Sequence, residues 1–206
     1  VLRRRANHWA GFTMIELVVS MGIFAVLVAL TVPTMSQWIK STKVRAAADA
    51  LQNGLRMAQT ESLRRSRQVV FALTTNAPTA TSPSFTASNN GNNWAIQTNP
   101  ALTGSGEAAV FVGAGVLTSA GSAVTIQGPA EICFNSVGHL VVNTSTSVPG
   151  GTCQPGNAYS TSTLAPIYTY QVALSGQTMN VTVAVGGQIR ICDPSQTLSN
   201  SNPYGC

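Results

Sequence analysis

Beyond residue 67 the chain has almost no charge. Glu107, Glu131, Arg190 and Asp193 are the only Asp, Glu, Lys or Arg residues in 68–206, and the other 13 of 17 charged residues lie in 1–67. Carboxylates this scattered offer neither a pair for acid–base work nor a cluster for a metal ion. Histidine is nearly missing too, with only His8 and His139 present. His139 falls in a predicted strand and reads as a half-buried structural residue. Asp49 lies on a predicted helix and Asp193 past the last predicted strand, so a Ser-His-Asp triad has no support. No CxxC occurs, which argues against zinc and thioredoxin-like chemistry. Gly113-Ala114-Gly115 lacks the P-loop lysine and the dinucleotide spacing, and reads as a turn. No catalytic residue, metal or cofactor is expected, and the chain does not read as an enzyme.

What the chain does have is a long apolar run near its start. Residues 17–32 carry no charge, and with Phe12 to Ile15 the span is 21 residues, about 32 Å as a helix. Arg3, Arg4 and Arg5 precede it, which keeps the N-terminus cytoplasmic and exports the rest. The run exceeds a secretory signal's core of roughly 7–15 residues, and no small-x-small cleavage site follows it closely. A plain anchor explains its length but not Glu16, a side chain whose kind costs ~2.5–3.5 kcal/mol near a membrane helix centre and less near the interface.

Gly11, Phe12, Glu16 and the apolar run together closely resemble the type IV pilin-like superfamily. That resemblance implies cleavage after Gly11 by a prepilin peptidase and N-methylation of the new terminal Phe12. It implies that Glu16 pairs with the N-terminal amine of a neighbouring subunit, a partner that makes a buried carboxylate tolerable. Pro33 matches a helix-kink proline of the family. Loss of three leader arginines would leave 8 basic and 6 acidic residues, too small a balance to argue nucleic-acid binding from net charge.

Val44, Ala48, Leu51, Leu55 and Ala58 then recur at helical spacing, while Lys43, Arg45, Asp49, Arg56, Glu61 and Arg64 lie mostly off the stripe. This predicts an amphipathic helix packed on a sheet. If continuous from Phe12 to about Arg67, the helix is about 84 Å long, with Pro33 and Gly54 as bends. Arg64, Arg65 and Arg67 read as cations at a helix C-terminus, or as a contact for an acidic neighbour or nucleic acid.

Nine strands are expected: Val69–Leu73, Trp94–Thr98, Ala109–Val112, Ala123–Gln127, Ile132–Phe134, His139–Val142, Tyr168–Leu174, Met179–Val185 and Gln188–Cys192. Gly186-Gly187 reads as a two-residue hairpin turn. Residues 144–163 read as a surface loop. The predicted fold is α+β: a long N-terminal membrane-spanning helix whose C-terminal half packs on an antiparallel β-rich head. The expected divisions are a leader (1–11), a transmembrane and filament-core helix (12–33), an amphipathic helix (34–67) and the head (68–206). Four cysteines, Cys133, Cys153, Cys192 and Cys206, follow the apolar segment and point to an oxidising compartment. Of three pairings the sequence-local one, Cys133–Cys153 with Cys192–Cys206, is favoured; a disulfide closing ~15 residues stabilises by roughly 3 kcal/mol.

The long helix, strand-rich head and late Arg190-Ile191-Cys192-Asp193-Pro194 resemble FimT/FimU-type minor pilins, which are related to GspH-type pseudopilins. The implied partners are other pilins, the prepilin peptidase, an inner-membrane assembly platform and, before assembly, inner-membrane lipid. The implied location is the inner membrane with a periplasmic head, then an extracellular pilus. Three functions stay open: a minor pilin at a pilus tip or initiating complex, a DNA-binding pilin for transformation, or a type II secretion pseudopilin. DNA-binding relatives use a late Gly-Arg-x-Arg. Here Gly187-Gln188-Ile189-Arg190 keeps Arg190 but has Gln188 at the first cationic position, which removes a phosphate contact.

Overall fold

The five apolar positions of the predicted stripe are all buried: Val44 at 1% exposure, and Ala48, Leu51, Leu55 and Ala58 at 0%. Ala47 and Ser62 join them on the same side, as a 3.6-residue period requires. They belong to α1 (Met14–Arg65), the single long helix of a computed structural model that describes residues 11–82, 85–99, 108–118, 121, 123–141 and 167–206. The chain separates into two compact units, divided between Ile39 and Lys40.

In the first unit the helix has no core of its own. Leu17, Val19, Ile23, Phe24, Leu27 and Leu30 are all more than half exposed. A helix apolar on every side needs a membrane or a protein partner around it, and α1 is long and apolar enough to cross a membrane. The helical assignment continues through Pro33.

In the second unit α1 packs with two antiparallel sheets around a shared core. The first has the order β3-β2-β1-β5-β6, built from β1 (Val69–Thr74), β2 (Asn93–Thr98), β3 (Phe111–Val116), β5 (Glu131–Phe134) and β6 (Leu140–Val141). The second has the order β4-β7-β8-β9, from β4 (Thr125–Gln127), β7 (Ile167–Leu174), β8 (Gln177–Ala184) and β9 (Ile189–Cys192). In β7, Tyr168, Tyr170, Val172 and Leu174 face the core in strict alternation. Phe71 of β1 joins the sheets, stacked on Trp94 at 6.0 Å and meeting Tyr170 edge-on at 6.2 Å. The fold is α+β, a helix on antiparallel sheets.

Four local features depart from the sequence reading. Gly113-Ala114-Gly115 is not a turn but the middle of β3. A Cβ on Gly115 would lie 2.6 Å from the Trp94 ring, and one on Gly113 3.1 Å from Met57, so these glycines make room for large neighbours. Gly54 likewise admits the Trp94 and Phe71 rings at 3.0 and 3.1 Å, a packing role rather than that of a bend. The β8–β9 connection has three residues, not two. Gly187 donates to Ala184 O at 2.8 Å and Ala184 to Gln188 O at 2.9 Å, with Gly187 at φ 83° as a bulge. The two-residue turn is Ser175-Gly176 between β7 and β8, with both φ positive at 45° and 88°, the type I′ pattern. Finally, His139 is exposed rather than half-buried and precedes β6.

Two fixtures hold the helix in place. At its end Ser66 takes φ 50°, with Ser66 N–H to Leu63 O and Arg67 N–H to Ser62 O, both 3.2 Å; this is a Schellman closure with serine where glycine is usual. Less than two turns before that end, the Gln59 amide donates to Gly138 O and to Gly187 O, each at 2.9 Å. One side chain thus grips a turn from each sheet.

Candidate assembly site and the C-terminal edge

Gly11, Phe12 and Thr13 precede the helix and are exposed, with open space around the Gly11 α-carbon. Thr13 ends this segment because its hydroxyl can replace a missing helical acceptor. Thr13 Oγ1 accepts the Glu16 N–H at 3.3 Å, and Thr13 O accepts the Leu17 N–H at 3.2 Å. Thr13 is therefore the N-cap and Glu16 the third helical residue, the spacing of a capping box. The Glu16 carboxylate sits in the first turn, where the helix dipole favours negative charge. Thr13 was missing from the sequence-predicted set; the Thr-x-x-Glu pattern ahead of an apolar run is the signal that finds it. Gly11, Phe12 and Glu16 thus lie at one helix start, and Pro33 lies several turns along.

Gln188, Arg190, Cys192 and Cys206 gather at the end of the second sheet, while Cys133 lies in β5 of the first. Cys192 and Cys206 are bonded, with α-carbons 5.1 Å apart. Cys133 is also disulfide-bonded; its expected partner Cys153 lies outside the described residues, as do residues 144–163, Glu107, His8, Arg3, Arg4 and Arg5. The Cys192–Cys206 loop folds back on β9. Asp193 donates to Tyr204 O at 2.7 Å and accepts from Cys206 N–H at 3.2 Å. One Arg190 nitrogen donates to Pro203 O and Gly205 O, both at 2.8 Å. Arg190 thus braces the loop. Asp193 is bound instead by Ser195, whose N–H and O–H lie 2.9 and 2.6 Å from its carboxylate. Those bonds, helped by the positive charge of Arg45, hold the Asp193 carboxyl below its usual range. Gln188 is exposed and accepts the Ala184 N–H through its carbonyl.

The basic cluster at the end of α1 is largely engaged within the chain. Glu61 bonds Arg64 through both oxygens at 2.9 and 2.7 Å and Arg65 at 2.8 Å. These bonds pull the Glu61 pKa down to about 2. Beside β9 a cleft of about 640 Å³ opens, with Arg45, Asp49, Gln52 and Arg56 of α1 on one side and Ile189, Arg190 and Ile191 on the other. Among the described residues no three His, Cys, Asp or Glu side chains gather to hold a metal ion.

Two solved structures are similar to this one, both of a type IV minor pilin. They are crystal forms of FimU from Pseudomonas aeruginosa strain PAO1. One has a TM-score of 0.47 and 14% identity, covering 80% of this chain and 96% of its own. The other has a TM-score of 0.44 and 15% identity, covering 79% and 98%. No protein-family model and no curated protein match the sequence.

Proposed function

We propose that the chain is a minor pilin: cleaved after Gly11, methylated on Phe12, held in the inner membrane with its head in the periplasm, and then built into a type IV pilus, at its tip or in its initiating complex. The observation that supports this best is the first unit. Its helix is apolar on every side, has no core of its own, and carries one carboxylate, Glu16, in its first turn. A membrane satisfies the apolar surface but not the acid; a neighbour's N-terminal amine within a bundle of such helices satisfies both. Other pilins, the prepilin peptidase and the assembly platform are the partners this requires.

Mass spectrometry of the mature protein should find N-methylated Phe12 as its first residue. An intact leader in cells with active peptidase would overturn the processing claim. Glu16→Ala should still be processed, but its incorporation into sheared filaments should fall by about ten-fold or more, since an unmet charge costs more than ~1.4 kcal/mol. Undiminished incorporation would remove the pairing role.

The pseudopilin reading shares every feature of the N-terminal junction; filament fractionation in cells with one or the other assembly system separates the two. The DNA-binding reading rests on Arg190, which already serves two carbonyls of the C-terminal loop. An electrophoretic shift at low salt, compared between the unaltered chain and Gln188→Arg, tests it; absence of a shift in both would dispose of it.

A further inference from the structure

The outer edge of β9 begins a pairing that the chain does not complete. The Ala184–Gln188 hydrogen bond sets the phase of the β8–β9 ladder. Bonded pairs recur every second residue along it, so Gln188, Arg190 and Cys192 turn their backbone groups toward β8. Ile189, Ile191 and Asp193 therefore turn theirs outward. At Asp193 the outward groups are taken by Tyr204 and Cys206, in a parallel bridge with Gly205. Next along the edge, Ile191 and Ile189 have no such backbone partner among the described residues.

We propose that this edge docks an extended segment of a partner protein as an added strand, and that the segment carries acidic residues at its two ends. An edge offers alternating N–H and C=O groups, which only another peptide backbone matches. The cleft sets the side chains. Its floor is the half-buried Met179, Ile189 and Ile191, so alternate residues of the segment are apolar. Its far wall is α1, where Arg45 and Arg56 are 11 residues apart with Asp49 between them. That separation is about 16 Å along a helix, or roughly five residues of extended chain. Acids at the ends therefore meet the arginines, and an acid in the middle meets Asp49. Asp193, kept ionised by Ser195, offsets part of the charge at the Arg45 end, so Arg56 carries the larger share of the attraction. The inference does not depend on the filament reading, because the edge and cleft belong wholly to the second unit.

The test uses the full chain in detergent micelles and a labelled peptide of about seven residues, two valines alternating with threonines between a terminal aspartate and glutamate. Fluorescence anisotropy should show saturable binding. N-methylation of the peptide's edge-facing amides should weaken it by about ten-fold or more, as loss of backbone hydrogen bonds requires. Arg56→Glu should weaken it several-fold, and added salt should reduce the difference. No saturable binding up to about 1 mM, or equal binding of the N-methylated peptide, would overturn the proposal. So would a single-stranded oligonucleotide that displaces the peptide and binds more tightly, for the cleft would then be an anion site and not a strand edge.

Discussion

Glu61 holds two guanidiniums with one carboxylate, and that sharing has a pH signature. Its pKa falls from the ordinary 4.5 to about 2, through hydrogen bonds to Arg64 and then Arg65. A carboxyl depressed on folding contributes stability that is fully present above its unfolded pKa. That contribution is lost as pH falls from 4.5 through about 2. The melting temperature of the protein should therefore decline over that acid range, and Glu61→Gln should flatten part of the decline while lowering stability at neutral pH. An unchanged acid limb in the variant would refute the assignment. Arg190 shows the limit of reading such residues from sequence. Its partners are not its sequence neighbours: the chain turns back on itself through the Cys192–Cys206 bond and brings Pro203 and Gly205 carbonyls to it. Partners 13 and 15 residues away, set by a loop closure, leave no local mark. Thr13, in contrast, is legible: its distance to Glu16, just ahead of an apolar run, is a cap spacing.

Elements with a strong period were readable. The α1 stripe and the alternation of β7 follow directly from which side chains must leave water. β3 was not, because its glycines look like a turn until Trp94 and Met57 are seen lying over them. That contact is tertiary, and no window of local sequence contains it. Gly115→Ala should accordingly destabilise the head by about 1–3 kcal/mol, the usual penalty of overpacking, measured by thermal denaturation; a neutral result would mean that the Trp94 ring yields freely. The helix end gives the opposite sign. Ser66 pays for a left-handed conformation that costs a non-glycine residue roughly 1–2 kcal/mol. Ser66→Gly should raise stability by roughly 0.5–1 kcal/mol after its larger unfolded-state entropy is counted, and a loss would show that the serine hydroxyl matters more than its backbone.

At the scale of the whole molecule, charge and burial divide the work. The first unit exposes apolar side chains and one acid, while the second encloses a core between a helix and two sheets. The sheets share no strand, but their turns meet beside α1. Gln59 meets both, Gly138 O from the first sheet and Gly187 O from the second. A Cβ at Gly187 would overlap Gly138 O, so the two turns are in contact beneath that one amide. Local openings in a protein normally proceed as separate cooperative units. Here the Gln59 amide, together with the Leu140 N–H bond to Val185 O at 2.9 Å, ties two such units to one release event. Amide exchange at β6 and at the β8–β9 turn should therefore slow and quicken in step as denaturant is varied. In Gln59→Leu, which keeps the bulk but loses both donors, the two sets of amides should fall out of step; continued parallel exchange would place the coupling in the Leu140–Val185 bond or the apolar core instead. What resembles a tether in the static fold is, in its fluctuations, a latch shared by two doors.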